Sequence, residues 1–549
     1  MTNFGAKILN NAIGALSAQQ AAIATIGNNI ANVNTPGYAR RVVDLQTRVT
    51  NGQAGSFNIG NGVQIGDIQR VADTFIDKVL RESKTAQGGS NIELEFMKRI
   101  EGLFSVSNDT PTIGSTLSQF FNSLNDLTLD PSSIELRKNV IERAQDVITT
   151  IGTTYNTIAN LQTEADTRLT SEIDNVNNLA AQIADLNGKI TQRESGGITA
   201  GDERDRRDIL LQTLAGKIGY TMVENSDASV TISLANGFSL VNGTNVRPIE
   251  LTESPSFSSG NLPPSLGGGV LRHVVYDYSN GAGTAEIDLT QILKDSGGEV
   301  GALLNVRGYN DPSNTSAFEA DGILVEMASR VESISRELLL NFNRVYLADD
   351  DSPAAGHQAT SADLDGNQPT DAFAFFDFTP PLAGTKDSNG NGLPDATDLD
   401  DAGLGVISFS SILRLNSTDP RRIAAARDSD VAAGSTSFEP GNGENAKLLA
   451  ELQSERRTFT TGNYLLEGTF SEVFNESVTH IGNAKSRADL SASVAESNLL
   501  SIQTKRDEIS GVSLDEEFTN LIKFQKAYQA SARMIKIADD LVTQIIQLI

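Results

Sequence analysis

The sequence predicts a multidomain, mainly α chain with inserted β-rich outer domains, in which the N- and C-terminal helices pair as a coiled coil. Three observations carry this. Apolar residues alternate in steps of three and four at both ends of the chain, and the period falls to two between Gly219 and Leu289. The length of 549 residues also exceeds what one hydrophobic core supports.

At the start, Leu9, Ile13, Leu16, Gln20, Ile23, Gly27 and Ile30 form a heptad seam. Ile8, Ala12, Ala15, Gln19, Ala22, Ile26 and Asn29 make a parallel row of smaller side chains, so the helix is suited to contact on two sides. It should stop at Asn34-Thr35-Pro36-Gly37, because proline disfavours helix in the residue before it and Pro-Gly fits the centre of a type II turn. At the other end, Ser513-Leu514-Asp515-Glu516 reads as a capping box with acids at the positive end of a helix. From there Leu521, Phe524, Tyr528, Ser531, Ile535, Ala538, Val542, Ile545 and Ile549 keep the alternation, with Met534, Ile537, Leu541 and Leu548 as a second apolar row. An unpartnered helix of this kind would leave two apolar stripes in water, so the ends are expected to pair with each other and then with neighbouring subunits.

Between the ends, 111–127, 131–162 and 204–215 are helical by pattern. Leu169, Ile173, Val176, Ala180, Ile183, Asn187 and Ile190 form one bundle stripe, ended by Ser195-Gly196-Gly197, and Leu324, Met327, Val331, Ile334, Leu338, Asn341 and Val345 form another. Val230, Ile232 and Leu234 alternate up to Asn236-Gly237, after which Phe238 and Leu240 resume, which is a hairpin signal. Residues 349–401 hold twelve aspartates and one lysine and should be solvated and outward-facing. These shifts divide the chain into a terminal coiled-coil domain (1–48 with 509–549), a helical bundle (49–218 with 294–348 and 441–508), a β-rich outer domain (219–293 with 402–440) and an acidic outer insertion (349–401).

A net charge of −27 argues against nucleic acid and anionic membrane surfaces as partners, since both require clustered Lys and Arg. No apolar run approaches the ~20 residues of a spanning helix. The absence of cysteine removes disulfides, thiolate metal sites and cysteine nucleophiles, and the first residues show no cleavable secretory signal. His273, His357 and His480 are far apart, and no nucleophile elbow, P-loop, dinucleotide fingerprint or zincin helix is present, so no enzymatic activity is expected.

One loop has metal-ligand spacing. Asp387, Asn389, Asn391, Leu393 (through its carbonyl), Asp395 and Asp398 stand at positions 1, 3, 5, 7, 9 and 12, with Gly392 at 6. A hard cation needs six or seven oxygens around such a turn, so weak, extracellular-type calcium binding is a candidate, beside a plain solvated acidic loop. No other cofactor is expected. Asp363-Leu364-Asp365-Gly366 is a fragment of such a loop, too short to count alone.

Gly27-Asn28-Asn29-Ile30-Ala31-Asn32-Val33-Asn34-Thr35-Pro36-Gly37-Tyr38 resembles the N-terminal signature of the axial proteins of the bacterial flagellum, and Leu514-Asp515-Glu516-Glu517 followed by Asn520-Leu521-Ile522-Lys523-Phe524-Gln525-Lys526-Ala527-Tyr528-Gln529-Ala530-Ser531-Ala532-Arg533 is similar to their C-terminal one. Within that family the junction members between hook and filament are the nearest. Thr35-Pro36-Gly37-Tyr38 with Arg40, Arg204-Asp205-Arg206-Arg207-Asp208-Ile209-Leu210-Leu211, Gly297-Gly298-Glu299-Val300-Gly301-Ala302-Leu303-Leu304 and the run from Asp363 to Phe376 all resemble segments of theirs. The resemblance implies a structural subunit that polymerises as a short ring at the hook tip and joins hook to filament. It implies self-association, contact with hook protein on one face and with a second junction protein or flagellin on the other, and export without signal cleavage through the flagellar export apparatus with the help of a chaperone. The location implied is extracellular, at the hook–filament junction. The assembly seam would be Leu9, Ile13, Leu16, Ile23, Ile30, Leu521, Phe524, Tyr528, Ile535, Val542 and Ile545. A hook or filament subunit, or a secreted calcium-dependent adhesin, are the competing readings.

Overall fold

In the computed structural model of the chain the described residues are 2–48, 62–105, 111–253, 265–267, 270–277, 286–309, 321–347, 360–365, 375–378, 408–428, 441–461 and 464–547. The helices are α1 (Thr2–Ala31), α2 (Thr74–Phe104), α3 (Ile113–Leu129), α4 (Ile134–Glu194), α5 (Gly201–Lys217), α6 (Thr290–Ser296), α7 (Gly298–Arg307), α8 (Ile323–Glu337), α9 (Asn343–Leu347), α10 (Phe409–Ile412), α11 (Glu444–Glu451), α12 (Phe470–Ser510) and α13 (Leu514–Gln547). The strands are β1 (Arg41–Thr47), β2 (Val63–Arg70), β3 (Thr221–Glu224), β4 (Val230–Ser233), β5 (Ser239–Asn242), β6 (Asn245–Val246), β7 (Ile249–Thr252), β8 (His273–Asp277), β9 (Glu286–Asp288), β10 (Thr360–Ala362), β11 (Phe376–Phe378), β12 (Leu413–Leu415), β13 (Ala426–Asp428), β14 (Arg457–Thr461) and β15 (Tyr464–Gly468). The fold is mainly α with small antiparallel sheets, as expected. Two segments predicted separately, 131–162 and 169–190, are one helix of 61 residues, because no helix breaker stands between them.

Contacts group the chain into two units. One comprises Met1–Gly88, Asp174–Pro248 and Ser493–Ile549, and the other Gly89–Ile173 and Ile249–Ala492. In the first unit α1 packs along α13 and against the β1–β2 ribbon. The four-stranded sheet β3-β4-β5-β6 is the predicted hairpin extended on both sides, and Gly237 takes φ 86° at its turn. The stripe residues Val176, Ala180, Ile183, Asn187 and Ile190 are all buried here, with Leu211, Leu214, Ile232 and Leu240.

In the second unit Phe120, Phe342, Tyr346, Phe375 and Phe376 form an aromatic core whose ring centroids lie 4.9 to 6.5 Å apart. Phe342 and Tyr346 enter it because Leu338–Phe342 is a π turn. The π turn adds a residue to the helical cycle, which moves the buried stripe from the predicted Asn341 and Val345 to Phe342 and Tyr346. Gly297 and Gly298 join α6 to α7 with φ of 80° and 76°, a conformation side chains resist, which accounts for the paired glycines.

Two expectations need correction. The described parts of the acidic segment are not wholly outward-facing, since Ala362, Phe375 and Phe376 are buried; aromatic burial outweighs the charge density around them. Strand pairing also departs from the expected β-rich domain. β12 pairs with β11 and β13 with β10, so the strands of 402–440 belong with those of 349–401, while β3–β6 and β7–β9 fall into different units. Both edges of this segment are tied to one stretch of helix. Ser361 Oγ donates to Tyr346 O at 2.7 Å, and the amide of Asn343 brackets Phe376. Glu332 accepts from Ser408 Oγ at 2.6 Å and from the N–H groups of Phe409 and Ser410.

Candidate assembly interface

The terminal helices are antiparallel. Gln20 lies within 3.5 Å of the Tyr528 hydroxyl, whereas Ala22, Thr25 and Ile26 share a small cavity with Phe524, Asn520 and Glu517. The side of α1 that is fully buried is the small one: Ala12, Ala18, Ala22, Thr25, Ile26 and Asn29. Small side chains let the neighbouring backbone approach closely. The larger seam is placed on the flank, with Leu9, Leu16, Ile23 and Ile30 half-buried and Ile13 exposed at 48%. On α13 Leu521, Phe524, Tyr528 and Ile535 are half-buried, and Ala538 is buried. Val542 and Ile545 lie within α13, but their side chains fall outside the described residues.

A second apolar row on α13 faces away from α1. Phe518, Ile522, Met534, Ile537 and Leu541 are between 43% and 58% exposed. At about 100° per residue Ile522 and Ile537 lie opposite Phe524, Tyr528 and Ile535, with Phe518 on one flank and Leu541 and Met534 on the other. Phe518 and Ile522 were missed in the sequence, although their i,i+4 spacing is a usable signal.

The exit of α1 is locked by polar groups. Tyr38 N–H closes on Thr35 O at 3.2 Å and Gly37 has φ 78°, which is the expected type II turn. A Cβ at Gly37 would also sit 2.5 Å from the Ile209 side chain, so the turn docks directly on α5. Asn29, wholly buried, accepts from Tyr38 Oη at 2.8 Å and from Arg41 N at 3.0 Å, and donates to Arg41 O at 2.9 Å. Arg41 stacks 5.1 Å from the Tyr38 ring and reaches Asp202 and Asp205, while Arg70 holds Asp205 and Asp208. Burial pushes the Tyr38 hydroxyl up, against the pull of Arg41, so it stays a donor. Burial likewise raises the Asp205 carboxyl against the opposing pull of Arg70 and Arg41. The arginine–aspartate segment of α5 is thus the seat for the turn. From the other end, Arg40 pairs with Glu516 at 2.8 Å, Arg40 N bonds Ser510 O at 2.8 Å, and Arg506 donates to Gly37 O at 3.1 Å.

The other candidate residues are not drawn together. His273 is buried beside Asp288 at 2.9 Å, His480 meets Glu326 at 3.3 Å, and His357 lies outside the described residues. Asp387, Asn389, Asn391, Leu393, Asp395 and Asp398 also lie outside them. Asp363 Oδ1 accepts from Asp365 N at 2.9 Å and Asp365 pairs with Arg421, so this fragment is a turn closed by an arginine. Among the described residues no cluster of His, Asp and Glu could hold a metal, and no helix is long and apolar enough to cross a membrane.

Antiparallel chain ends with apolar rows on two sides, locked to the body by a glycine turn, define a subunit built for axial polymerisation. Comparison with known proteins agrees. Residues 97–356 match the flagellar hook-associated protein FlgK helical domain, 503–548 the flagellar basal body rod FlgEFG protein C-terminal family, and 9–38 the flagella basal body rod protein family. Flagellar hook-associated protein 1 of Escherichia coli is 26% identical over 97% of this chain and 98% of its own, and that of Bacillus subtilis 26% identical over 98% and 97%. The fold is shared with the flagellar hook junction protein FlgK from Burkholderia pseudomallei at a TM-score of 0.55 and 12% identity, covering 80% of this chain and all of that one. Over nearly its whole length the chain is similar to flagellar hook-associated protein 1, and its helical middle matches the FlgK helical domain.

Proposed function

We propose that the chain is a non-enzymatic structural subunit of the flagellum that forms a short ring at the hook tip and joins hook to filament. The observation that carries this is the two-sided terminal pair: α1 and α13 cover each other along one side, and a second apolar row on α13 remains exposed. Burying the half of each side chain that is still exposed is worth on the order of 1 kcal/mol apiece, so polymerisation is the natural way to cover them. In this reading the terminal pair lines the inside of the ring. Hook protein meets one face and a second junction protein or flagellin the other. The chain leaves the cell through the flagellar export apparatus, with a chaperone and without signal cleavage. The Asp387 loop is a weak calcium site.

Immunogold electron microscopy of intact flagella, with an antibody to residues 379–407, tests the role. Label confined to the hook–filament boundary is expected. Label along the hook or filament would make the chain a bulk subunit, and label scattered over the cell surface would make it an adhesin.

A further inference from the structure

The cavity between α1, β1 and α13 has a volume of about 70 Å³ and is walled by Ala22, Thr25, Arg40, Arg41, Glu517 and Phe524 among others. Glu517 is only 3% exposed, and among the described residues its Oε2 has no hydrogen-bond partner. The buried Nε atoms of Arg40 and Arg41 likewise have none, because the far ends of those guanidinium groups are taken by Glu516 and by Asp202 and Asp205. A buried carboxylate oxygen without a partner is costly. The volume is well above the roughly 10–15 Å³ that admits one water and, at about 30 Å³ per water in the liquid, holds about two. Water both donates to a carboxylate oxygen and accepts from Nε–H, so it fits every polar group on these walls.

The placement matters because heptad seams are degenerate. Sliding α13 by seven residues, about 10 Å, again sets apolar against apolar. The ties at the exit of α1, Arg40 with Glu516 and Arg40 N with Ser510 O, oppose a slip from the exposed side; inside the pair it is the buried polar group that distinguishes one register from the next, because a slip carries Glu517 away from both arginines and strands it. We propose that Glu517, through water held with Arg40 and Arg41, is the positioning residue that fixes the register of the terminal helix pair. This goes beyond the junction role and holds whichever polymer the chain joins.

The chain has no cysteine, so register can be read by thiol cross-linking without background. In the full-length chain, Gln20→Cys with Tyr528→Cys reports the native register, and Gln20→Cys with Leu521→Cys or Ile535→Cys reports a slip of one heptad either way. The cross-linker must be shorter than the slip, and intramolecular products are those that run as monomers on a denaturing gel. Glu517→Gln keeps the size and the water bonding, and should give the native product alone. Glu517→Leu is apolar and of similar volume, and should give the slipped product at the expense of the native one. Native product alone from Glu517→Leu, or slippage in Glu517→Gln, overturns the proposal. If Glu517→Leu gives neither product, Glu517→Ser decides: its small hydroxyl leaves room for more water, so the native product supports the proposal and the slipped product overturns it.

Discussion

Asn29 treats Arg41 as a neighbouring strand would. Its side-chain amide accepts from Arg41 N at 3.0 Å and donates to Arg41 O at 2.9 Å, so one helical side chain stands in for a ladder partner. The device recurs. Asn187 brackets Val230 with bonds of 3.1 and 3.0 Å, and Asn343 brackets Phe376 with bonds of 3.0 and 2.8 Å. All three asparagines are buried. Each ties a short strand to a helix where the backbone would otherwise be unpaired.

Asn29→Ala should therefore cost about 3 kcal/mol, since it strands buried backbone groups as well as losing bonds. Hydrogen exchange should show faster exchange across 29–41. Unchanged protection there would mean that the Tyr38 turn holds without the amide.

Tyr38→Phe removes only the hydroxyl that bonds Asn29 and keeps the ring against Arg41. The expected loss is about 1 kcal/mol, with the turn intact. Thermal melting of the two variants compared should rank Asn29→Ala well below Tyr38→Phe.

The two faces of α13 can be separated. Phe524 lines the contact with α1, so Phe524→Asp should unpair the terminal helices within the chain. Ile522 is 58% exposed on the far side, so Ile522→Asp should leave the helices paired and stop assembly. Circular dichroism of purified protein and motility of the cells distinguish these outcomes. Full motility in both variants would remove α13 from assembly.

Glu194 is held below its ordinary carboxylate value of 4.5, chiefly by its bonds to Arg204, with burial opposing and Ala200 N–H assisting. Such a group binds fewer protons folded than unfolded, so it stabilises the fold above pH 4.5 and that contribution is lost as pH falls through its lowered value. Melting temperatures between pH 6 and pH 3 should fall less steeply in Glu194→Gln than in the parent chain. Parallel slopes would show that the Glu194–Arg204 pair is not coupled to folding.

Calcium titration by calorimetry should give weak binding to the full chain that Asp387→Ala abolishes. No heat in either chain would leave the segment a solvated acidic loop.

Where one periodicity governed a long stretch, the sequence was readable. The stripe from Leu169 to Ile190 is buried as its spacing predicts, and Asn236-Gly237 turns the hairpin it announces. Reading failed where a local event resets the period. The π turn at Leu338–Phe342 displaces the stripe by one position, and nothing in Leu-Leu-Leu-Asn-Phe announces it. The interface was half legible for a related reason. Hydrophobicity marks large residues, yet close packing of α1 falls to alanines, and the groups that fix its exit, Asn29, Arg40 and Arg41, are polar. The spacing placed Asn29 and the alanines on a contact row, but it assigned the arginines to solvent, and only distant partners such as Asp202 and Asp205 draw them in.

The anchoring of the segment between Tyr346 and Ser408 has an engineering consequence. Ser361 and Phe376 on one side and Ser408 to Ser410 on the other are bound to Glu332, Asn343 and Tyr346, which lie along a single helical run. Those anchors hold the two described ends, Phe378 and Ser408, to the same helical run. A foreign epitope spliced between Phe378 and Ser408 would leave and rejoin the body beside one helical run, making this a natural display position to try, and thermal melting of the grafted chain reads whether those anchors suffice to hold it.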